Sequence, residues 1–470
     1  MYVDGSVFRE YDIRGIWQKN INEEFCRGLG VAYGRYLKQR CGHSNPVVTV
    51  GYDARLSSED IFRHLCMGLA LEGVKVVSLG LVPTPVQYFS LFKLSTDGGV
   101  MITASHNPKE YNGFKLSVGK ETLYGEEIQH IREQMEKLDP VAIDHAPTPQ
   151  VDRYDILKDY TAFMMDQFGY LFGSEHKPAV VLDGGNGVGG FVGYDIMKRL
   201  GFDVKGLYIE PDGTFPNHHP DPTVEENLRD LKRVLKEEHY QIGIGYDGDA
   251  DRIGVVLKNG EILYGDQLLL LFAQDILSDH PGAKIIGEVK CSQVLFDGIK
   301  EAGGVPIMYK AGHSLIKSKM KQEHALLAGE MSGHIFFADR YFGYDDAIYA
   351  SLRLLEIVVK RSLDLIQWKR SLPKTYNTPE IRIECPDEKK RSVVEKLKAY
   401  LESHADEFDI THIHTIDGIR FNTHYGWGLI RSSNTQPALV LRFEANTKDK
   451  LEELKSKTLS LVERTIKQET

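Results

Sequence analysis

The sequence predicts an α/β fold, with three similar mixed α/β domains followed by a C-terminal α+β domain. Over the first 370 or so residues, short runs rich in β-branched residues alternate with helical patterns, which is typical of α/β layers. From Pro379 the order changes to a strand, a helix, several strands and a last helix. We therefore predict domains at residues 1–149, 150–255, 256–372 and 373–470.

Strand-like runs and one well-marked helix define the first domain. Ser57 is predicted to open the helix, and with Asp60 it resembles a capping box. Apolar side chains then recur at helical spacing on one face. The predicted strands are at residues 47–51, 74–79 and 99–103.

A proline-containing break at residues 140–149 is predicted to be a linker. Each of the next two domains opens with a strand followed by a loop and a helix, at residues 179–183 and 285–289. In the C-terminal domain, two helices are predicted from apolar faces. These faces are formed by Val393, Val394, Leu397, Tyr400 and Leu401, and by Leu451, Leu454, Leu459 and Val462.

The composition is that of an ordinary globular protein, with 42% hydrophobic and 26% charged residues. A net charge of −10 argues against a general nucleic-acid binder. Any anionic substrate must therefore meet a local basic cleft. Five scattered cysteines without C-x-x-C spacing favour neither a zinc site nor a disulfide framework.

The N-terminus has neither a basic start nor an apolar core, so no signal peptide is predicted. The longest apolar run, residues 268–273, is too short to span a bilayer. We expect a cytoplasmic protein that binds no membrane.

Three carboxylates at alternate positions make residues 247–252 the most informative stretch. The residues read Asp-Gly-Asp-Ala-Asp-Arg and follow a predicted buried strand at 241–246. Alternate side chains of an extended loop can converge on one ion, and Mg²⁺ and Ca²⁺ prefer oxygen ligands. An EF-hand is excluded, because its loop needs glycine sixth and glutamate twelfth, where this chain has Arg252 and Lys258.

A serine loop follows the predicted strand at 99–103. Ser105 needs a base, a metal or a charged neighbour to act as a nucleophile, and His106 and Lys115 are the local candidates. An ordinary Asn-Pro turn is the alternative interpretation. No G-x-S-x-G motif is present, so a hydrolase triad is not favoured.

Two further loops carry polar residues suited to sugars and phosphates. Glu330, in Gly-Glu-Met-Ser-Gly-His at 329–334, can accept hydrogen bonds from sugar hydroxyls. Arg431, in Arg-Ser-Ser-Asn-Thr at 431–435, offers a guanidinium with hydroxyls and an amide, a compact receptor for phosphate oxygens. Turn chemistry and a polar surface loop are the respective alternatives.

Residues 185–190 fit the G-x-G-x-x-G pattern and follow a strand, as a dinucleotide site requires. Asp203 lies near the spacing expected of a ribose-binding acid. However, the motif is weak by itself and lies in the second unit of the chain. A nicotinamide-dependent oxidoreductase therefore remains only an alternative function.

Taken together, the Phe-Arg-Glu-Tyr-Asp-Ile-Arg-Gly segment at 8–15, the Ser105 loop and the loops at 247–252, 329–334 and 431–435 resemble the α-D-phosphohexomutase superfamily. The motifs occur in the family's order and span nearly the whole chain. Within the superfamily the chain looks most similar to the bacterial phosphomannomutase/phosphoglucomutase branch. Other branches differ in the 329–334 loop, where Met331 resembles the mannose/glucose group. The resemblance implies a central cleft between the domains and a mobile C-terminal domain.

The resemblance also implies roles for individual residues. Ser105 would carry a phosphoryl group, and one of its phosphate oxygens would join Asp247, Asp249 and Asp251 around one Mg²⁺. Arg14 and Lys115 would flank the transferring group, with Lys115 or His106 assisting proton transfer. The implied substrate-binding residues are Tyr11, Arg252, Lys290, His313, Glu330, Ser332, His334, Arg431, Ser433, Asn434 and Thr435.

The implied reaction is reversible phosphoryl transfer between O1 and O6 of a mannose or glucose phosphate through a hexose 1,6-bisphosphate, which also acts as activator. Each phosphate carries about −1.5 to −2 charges, so one Mg²⁺ cannot neutralise both ends, and a separate arginine clamp is expected. Phosphoglucosamine mutase and a non-catalytic phosphosugar-binding protein remain alternatives. The expected partners are small hexose phosphates, and the expected state is a monomer or weak oligomer.

Overall fold

The computed structural model describes residues 1–145, 147–433 and 437–469. Within these ranges the strands form four sheets in chain order. The predicted class, mixed α/β domains with a C-terminal α+β domain, is confirmed. No helix in the described ranges combines the length and apolar character needed to cross a bilayer.

The first sheet contains strands from the beginning of the chain to residue 153. Its elements are β1 (Ile13–Ile16), α1 (Glu23–Cys41), β2 (Val47–Tyr52), α2 (Ser58–Leu71), β3 (Lys75–Leu81), α3 (Thr84–Lys93), β4 (Gly98–Ile102), β5 (Tyr111–Val118), β6 (Glu121–Thr122), α4 (Glu126–Glu136), α5 (Pro140–Asp144) and β7 (Val151–Arg153). The strand order is β1-β5-β4-β2-β3-β7, with β6 beside β5. Because β2 and β4 are adjacent and parallel, the loops that follow them meet at one edge of the sheet.

The capping box predicted at the start of α2 is wrong. Ser57 is the N-cap residue, but its backbone is helical and its side chain makes no cap hydrogen bond within the described residues. Its hydroxyl instead accepts a hydrogen bond from Asn112 Nδ2 at 2.9 Å. The Ser57 hydroxyl is therefore bound by a side chain distant in sequence and does not cap the helix.

The second sheet carries the acidic loop. Its elements are α6 (Ile156–Phe168), β8 (Val180–Asp183), α7 (Gly190–Arg199), β9 (Val204–Leu207), α8 (Arg229–Glu237), β10 (Ile242–Tyr246), β11 (Ile253–Leu257) and β12 (Ile262–Leu263). The strand order is β12-β11-β10-β8-β9. Antiparallel pairing of β10 and β11 turns the chain sharply at residues 247–252.

The third sheet has the order β14-β13-β15-β16-β17. The elements around it are α9 (Gly265–Asp279), β13 (Lys284–Glu288), α10 (Gln293–Glu301), β14 (Val305–Tyr309), α11 (His313–Glu323), β15 (Leu327–Gly329), β16 (Ile335–Phe337), β17 (Tyr344–Asp345), α12 (Ala347–Arg361) and α13 (Leu365–Ser371). The loops after β13, β14 and β15 lie at the same edge, because these three strands are parallel.

The fourth sheet is antiparallel, with the order β18-β23-β22-β21-β20 and β19 beside β23. Its elements are β18 (Tyr376–Asn377), β19 (Ile381–Glu384), α14 (Asp387–Ser403), β20 (Ile410–His414), β21 (Ile419–Thr423), β22 (Gly426–Ser432), β23 (Ala438–Ala445) and α15 (Lys448–Glu469). Both helices predicted from apolar faces are present as α14 and α15.

One hydrophobic core joins parts of the first three domains, whereas the C-terminal domain has a core of its own. Helices α3, α6 and α12 contribute to the shared core through aromatic contacts. The Phe89 ring lies 5.5 Å from Tyr160, and Phe168 lies 5.5 Å from Tyr349. The first three domains thus share part of their hydrophobic core, whereas the fourth packs around a separate one.

Candidate active site

A cleft of about 930 Å³ opens where loops from all four sheets meet. Its volume lies within the range that is usual for small-molecule sites. Asp247 and Asp249 are fully buried beside it, and Asn434 and Thr435 lie outside the described residues. The predicted site residues that line the cleft are Tyr11, Arg14, Ser105, His106, Lys115, Asp251, Arg252, Lys290, His313, Glu330, Ser332, His334, Arg431 and Ser433.

Ser105 lies on the turn after β4 and has a positive φ of 50°. Positive φ is uncommon for a residue other than glycine, and it persists only where the surroundings hold the backbone. The Ser105 hydroxyl donates to Asp247 Oδ2 at 2.7 Å and lies 3.0 Å from His106 Nδ1. The fold thus sets the serine loop of the first domain directly against the acidic loop of the second.

Arg55, which the sequence analysis missed, holds the serine loop in place. Its side chain is fully buried and pairs with Asp53 at 3.2 Å. The guanidinium donates to four backbone carbonyls of the loop, with distances between 2.7 and 2.9 Å. These carbonyls belong to Ser105, Asn107, Pro108 and Tyr111. In the sequence, the charged residues Asp53 and Arg55 directly after a buried strand were the signal that could have indicated this role.

The three carboxylates of the acidic loop converge. Asp247, Asp249 and Asp251 are each 0% exposed, and their ligand oxygens lie within 4.8 Å of one another. Asp247 Oδ1 accepts from the backbone N–H groups of Asp251 and Arg252, both at 3.1 Å, which fixes the turn. The alternate spacing in the sequence therefore does bring the carboxylates to one point.

The residues of this loop fit a divalent cation. Asp249 Oδ1 and Asp251 Oδ1 are buried and accept no hydrogen bond within the described residues. Burial, together with the adjacent Asp251 and Asp249, raises the pKa of Asp247 well above its ordinary value. A set of buried oxygen ligands with excess negative charge is the arrangement that hard cations such as Mg²⁺ prefer.

Two cationic side chains flank the serine and the carboxylates. Lys115 Nζ donates to Asp249 Oδ2 at 3.0 Å and also contacts Asp251 Oδ2. Arg14 Nε donates to Asp12 Oδ2 at 2.7 Å, and its NH1 donates to Asn107 Oδ1 at 2.8 Å. Both cations are therefore fixed in position before any substrate binds.

Glu330 joins the predicted sugar-binding loop at 329–334 to the neighbouring loop that contains Gly312. Its Oε1 accepts from the Gly312 N–H at 2.7 Å, and its Oε2 accepts from Ser332 Oγ at 2.9 Å. Tyr11 donates its hydroxyl to the Ala311 carbonyl at 2.8 Å, which ties the first domain to the same loop. The carboxylate is thereby held at the cleft surface with lone pairs left for hydroxyl donors.

His334 and Arg252 form a chain with Asp345, another residue that the sequence analysis missed. Arg252 Nε donates to His334 Nε2 at 2.9 Å. The other ring nitrogen, Nδ1, lies 2.9 Å from Asp345 Oδ2. The His334 ring is therefore held between the Arg252 guanidinium and a buried carboxylate at the wall of the cleft.

The predicted phosphate loop reaches the cleft from the C-terminal domain. Arg431 is only 11% exposed, and its guanidinium pairs with Asp417 Oδ2 at 3.0 Å. Lys290, on the third domain, faces Glu380 Oε1 of the C-terminal domain at 3.3 Å. Cations from two domains thus face each other across the edge of the cleft.

The C-terminal domain also rests on the loop that carries Lys290. Arg420 NH1 donates to the carbonyls of Val289 and Cys291, both at 2.7 Å. Glu444 Oε1 accepts from Ser292 Oγ at 2.9 Å, at the start of α10. Arg442 donates to the Lys290 carbonyl at 2.7 Å. All three charged residues were missed from the sequence, because their partners lie in another domain.

Comparison with known proteins covers all four domains. Four family models, described as the α/β/α domains I, II and III and the C-terminal domain of phosphoglucomutase/phosphomannomutase, match residues 5–142, 158–260, 264–376 and 380–460. The chain belongs to the phosphoglucomutase/phosphomannomutase family.

Individual relatives cover almost the whole chain. A phosphomannomutase/phosphoglucomutase of Pseudomonas aeruginosa is 45% identical over 96% of this chain and 94% of its own. A phosphoglucomutase of Neisseria gonorrhoeae is 43% identical over 97% and 96%. The crystal structure of a family protein from Burkholderia thailandensis superposes with a TM-score of 0.89 at 37% identity, covering 99% of this chain and 98% of that one. The predicted resemblance is confirmed, and this phosphohexomutase is an isomerase.

In this member of the phosphoglucomutase/phosphomannomutase family, the glycine-rich turn at 185–190 supports the acidic loop. A Cβ on Gly187 would lie 2.5 Å from the Gly248 carbonyl oxygen, and one on Gly189 would lie 2.3 Å from Ala250 Cβ. Residues 185–190 are all buried. The glycines therefore allow two protein loops to approach closely, and a pyrophosphate could not reach the turn.

Proposed function

We propose that this phosphohexomutase transfers a phosphoryl group between O1 and O6 of mannose and glucose phosphates through a phosphoserine at Ser105. The carrying observation is the 2.7 Å hydrogen bond from Ser105 Oγ to Asp247 Oδ2. It places a serine hydroxyl against three buried carboxylates in a cleft rich in cations. Phosphoryl transfer depends chiefly on such positioning and charge neutralisation.

Asp247, Asp249, Asp251 and a phosphate oxygen on Ser105 would hold one Mg²⁺ per chain. When bound, the ion would offset negative charge on the oxygens of the transferring phosphoryl group. The buried oxygens of Asp249 and Asp251 that accept no hydrogen bond within the described residues support this assignment.

Lys115 and His106 differ in protonation state, and this difference indicates a separate role for each. Burial disfavours the Lys115 ammonium, but Asp249 and Asp251 more than compensate and hold its pKa well above the ordinary value. Lys115 is therefore a persistent cation, which suits it to neutralising negative charge on the transferring phosphoryl group. Burial, with Arg252 and Arg14 nearby, holds the pKa of His106 well below its usual range. His106 is therefore neutral and can accept a proton.

The reaction proceeds in two balanced half-reactions. First, the free sugar hydroxyl attacks the phosphorus of phospho-Ser105, the bond between phosphorus and Ser105 Oγ breaks, and the hydroxyl proton passes through the neighbouring groups to Ser105 Oγ, giving a hexose 1,6-bisphosphate. The bisphosphate then reorients in the cleft, and Ser105 Oγ attacks its other phosphorus. The bond from that phosphorus to the sugar oxygen breaks and the sugar oxygen takes up the serine proton, which restores phospho-Ser105 and releases the isomeric hexose phosphate. Free hexose 1,6-bisphosphate can rephosphorylate a Ser105 that has lost its phosphate, which accounts for its role as activator.

The remote phosphate is proposed to bind Arg431 and Ser433, with the predicted contributions of Asn434 and Thr435. Four further side chains line the cleft between Ser105 and this clamp: Lys290, Arg252, His313 and His334. Because each orientation of the bisphosphate places a phosphate in the same clamp, the clamp needs charge complementarity more than contacts to one particular sugar position.

Intact-mass spectrometry of freshly purified protein tests the proposal. We expect one added phosphate, which peptide mapping places on Ser105. Incubation with glucose 1,6-bisphosphate should restore this mass increase after it has been lost. A protein that turns over glucose 1-phosphate while neither state carries a phosphate on Ser105 would disprove the phosphoserine route.

We predict comparable turnover of mannose 1-phosphate and glucose 1-phosphate. The two sugars differ only at C2, so an enzyme that uses both must not require a contact to that hydroxyl. Glu330 and Ser332 are proposed to read hydroxyls that both sugars share, with Met331 as an adaptable apolar neighbour. N-acetylglucosamine 1-phosphate should be much poorer, because of its bulk at C2.

Specificity constants measured side by side decide this prediction. A preference of more than about a hundredfold for either hexose, equivalent to roughly 2.7 kcal/mol, would show that C2 is read. Good turnover of N-acetylglucosamine 1-phosphate would favour a phosphoglucosamine mutase instead.

Arg431→Ala is expected to raise KM by roughly ten- to a hundredfold, because it removes a charge-assisted contact to the remote phosphate.

The C-terminal domain has its own core, and we expect it to close over bound substrate. Saturating substrate should then protect residues 373–379, the segment that follows α13 and contains β18, from proteolysis. The matched control for Arg431→Ala is Arg391→Ala, since Arg391 lies on the same domain and its side chain is 91% exposed. Equal cleavage with and without substrate would argue against closure.

A further inference from the structure

Both ring nitrogens of His218 face hydrogen-bond acceptors. Nε2 lies 3.1 and 3.0 Å from the two carboxylate oxygens of Asp183, and Nδ1 lies 2.9 Å from the His219 carbonyl oxygen. A neutral imidazole has only one N–H, whereas the imidazolium has two. The ring is therefore satisfied as a cation, and it forms an ion pair with a carboxylate that is 2% exposed.

Asp183 connects this histidine to the glycine-rich turn. It ends β8, and its Oδ1 accepts from the Gly185 N–H at 2.9 Å. In the parallel pairing of β8 and β10, Asp183 is opposite Gly245, two residues before Asp247. One carboxylate thus links His218 to the turn at a position beside the start of the acidic loop.

The glycine-rich turn packs directly against the acidic loop. The Val188 N–H donates to the Gly248 carbonyl at 3.1 Å. As described above, no Cβ could be added to Gly187 or Gly189 without a clash against residues 248–250. Because the interface consists of backbone atoms and the Ala250 Cβ, which cannot rotate away, a shift of the turn must also shift the carboxylates on either side of Gly248.

We propose that His218 is a positioning residue, whose imidazolium holds the glycine-rich turn and thereby keeps the acidic loop in its metal-binding shape. His218 does not touch the carboxylates themselves and acts through Asp183. The inference rests on the proposed function, because it concerns the same Mg²⁺ site. Partners that orient metal ligands from outside the ligand set typically change metal affinity by about ten- to a hundredfold.

The charge on His218 predicts a pH dependence. The groups that face it are Asp183, the edge-on Tyr208 ring at 5.5 Å, and Asp230, which accepts the Tyr208 hydroxyl. Burial lowers the pKa of His218, but Asp183 and the His219 carbonyl outweigh it and raise the pKa above its ordinary value. Because the pKa is raised, the ion pair between His218 and Asp183 is fully formed at low pH and is lost as the pH rises through that pKa.

Calorimetric titration of Mg²⁺ into the full chain tests this role. His218→Gln keeps one N–H donor towards Asp183 but removes the charge and the second donor. We expect it to weaken Mg²⁺ binding by about tenfold near pH 6.5. The difference from wild type should shrink as the pH is raised. His239→Gln is the matched control, because His239 pairs with Asp203 at 2.6 Å on the surface of the same domain, where it is 65% exposed.

The outcomes separate this inference from the proposed function. If the wild-type chain binds no Mg²⁺, the proposed metal site fails. If wild type binds Mg²⁺ and His218→Gln binds it equally at every pH, the positioning role alone is wrong. Should His218→Gln fail to fold, nitrogen NMR of the wild-type histidines decides. Protons on both His218 nitrogens near pH 6.5 support the inference, and a neutral ring overturns it.

Discussion

Ser105→Ala is expected to lower turnover of glucose 1-phosphate by at least about 10⁴-fold, because no covalent phosphoryl intermediate can form without the hydroxyl. The fold should be unaffected, since the change removes one oxygen from a loop that Arg55 holds by its backbone carbonyls. The measurement is the steady-state rate with glucose 1,6-bisphosphate present.

Ser117→Ala provides the matched control. Ser117 is also a buried serine of the first sheet, on β5, and its hydroxyl makes no hydrogen bond within the described residues. Its replacement should leave turnover nearly unchanged. Near-normal activity of Ser105→Ala would instead show that the transferred group never resides on this serine.

Asp249→Asn is expected to lower the maximal rate by about 10³-fold, equivalent to roughly 4 kcal/mol of transition-state stabilisation. The change removes one negative charge from the three-carboxylate site and weakens the partner of Lys115 Nζ, which lies 3.0 Å from Asp249 Oδ2. Substrate affinity should change much less, because the Arg431 loop is proposed to hold the remote phosphate. Rates measured across a Mg²⁺ titration should show a higher metal requirement.

Asp195→Asn serves as the control, because Asp195 lies on α7 of the same domain and is 51% exposed. It should leave the Mg²⁺ dependence unchanged. Full activity of the wild-type enzyme in excess chelator, or an unaltered metal requirement of Asp249→Asn, is incompatible with the proposed site.

The local features of the chain were predictable from sequence because they depend on short-range patterns. Strands were recognised as β-branched runs, and the helix face with Val393, Leu397 and Leu401 is buried as its spacing indicates. The serine, acidic and arginine loops were recognised because polar residues follow directly after apolar runs. Side-chain type alone indicated what each loop could bind.

Features that depend on a distant partner were missed or misjudged. Ser57 and Asp60 have the spacing of a capping box, but Asn112 binds the Ser57 hydroxyl instead. Arg55, Arg420 and Glu444 contact backbone groups of other loops or another domain, and such contacts leave no periodicity in the sequence. The glycine pattern at 185–190 suggested a nucleotide site, because the same freedom from Cβ atoms serves both uses.

By itself, the sequence determined which chemistry is available: an acidic triplet, an activatable serine, an arginine loop and the family to which they belong. Only the tertiary structure decided where these groups meet. Ser105 and Asp247 are 142 residues apart in the chain, yet their side chains lie 2.7 Å apart. The physical reason is that adjacent parallel strands bring successive loops to one sheet edge, while packing between separate domains decides which loops then face each other.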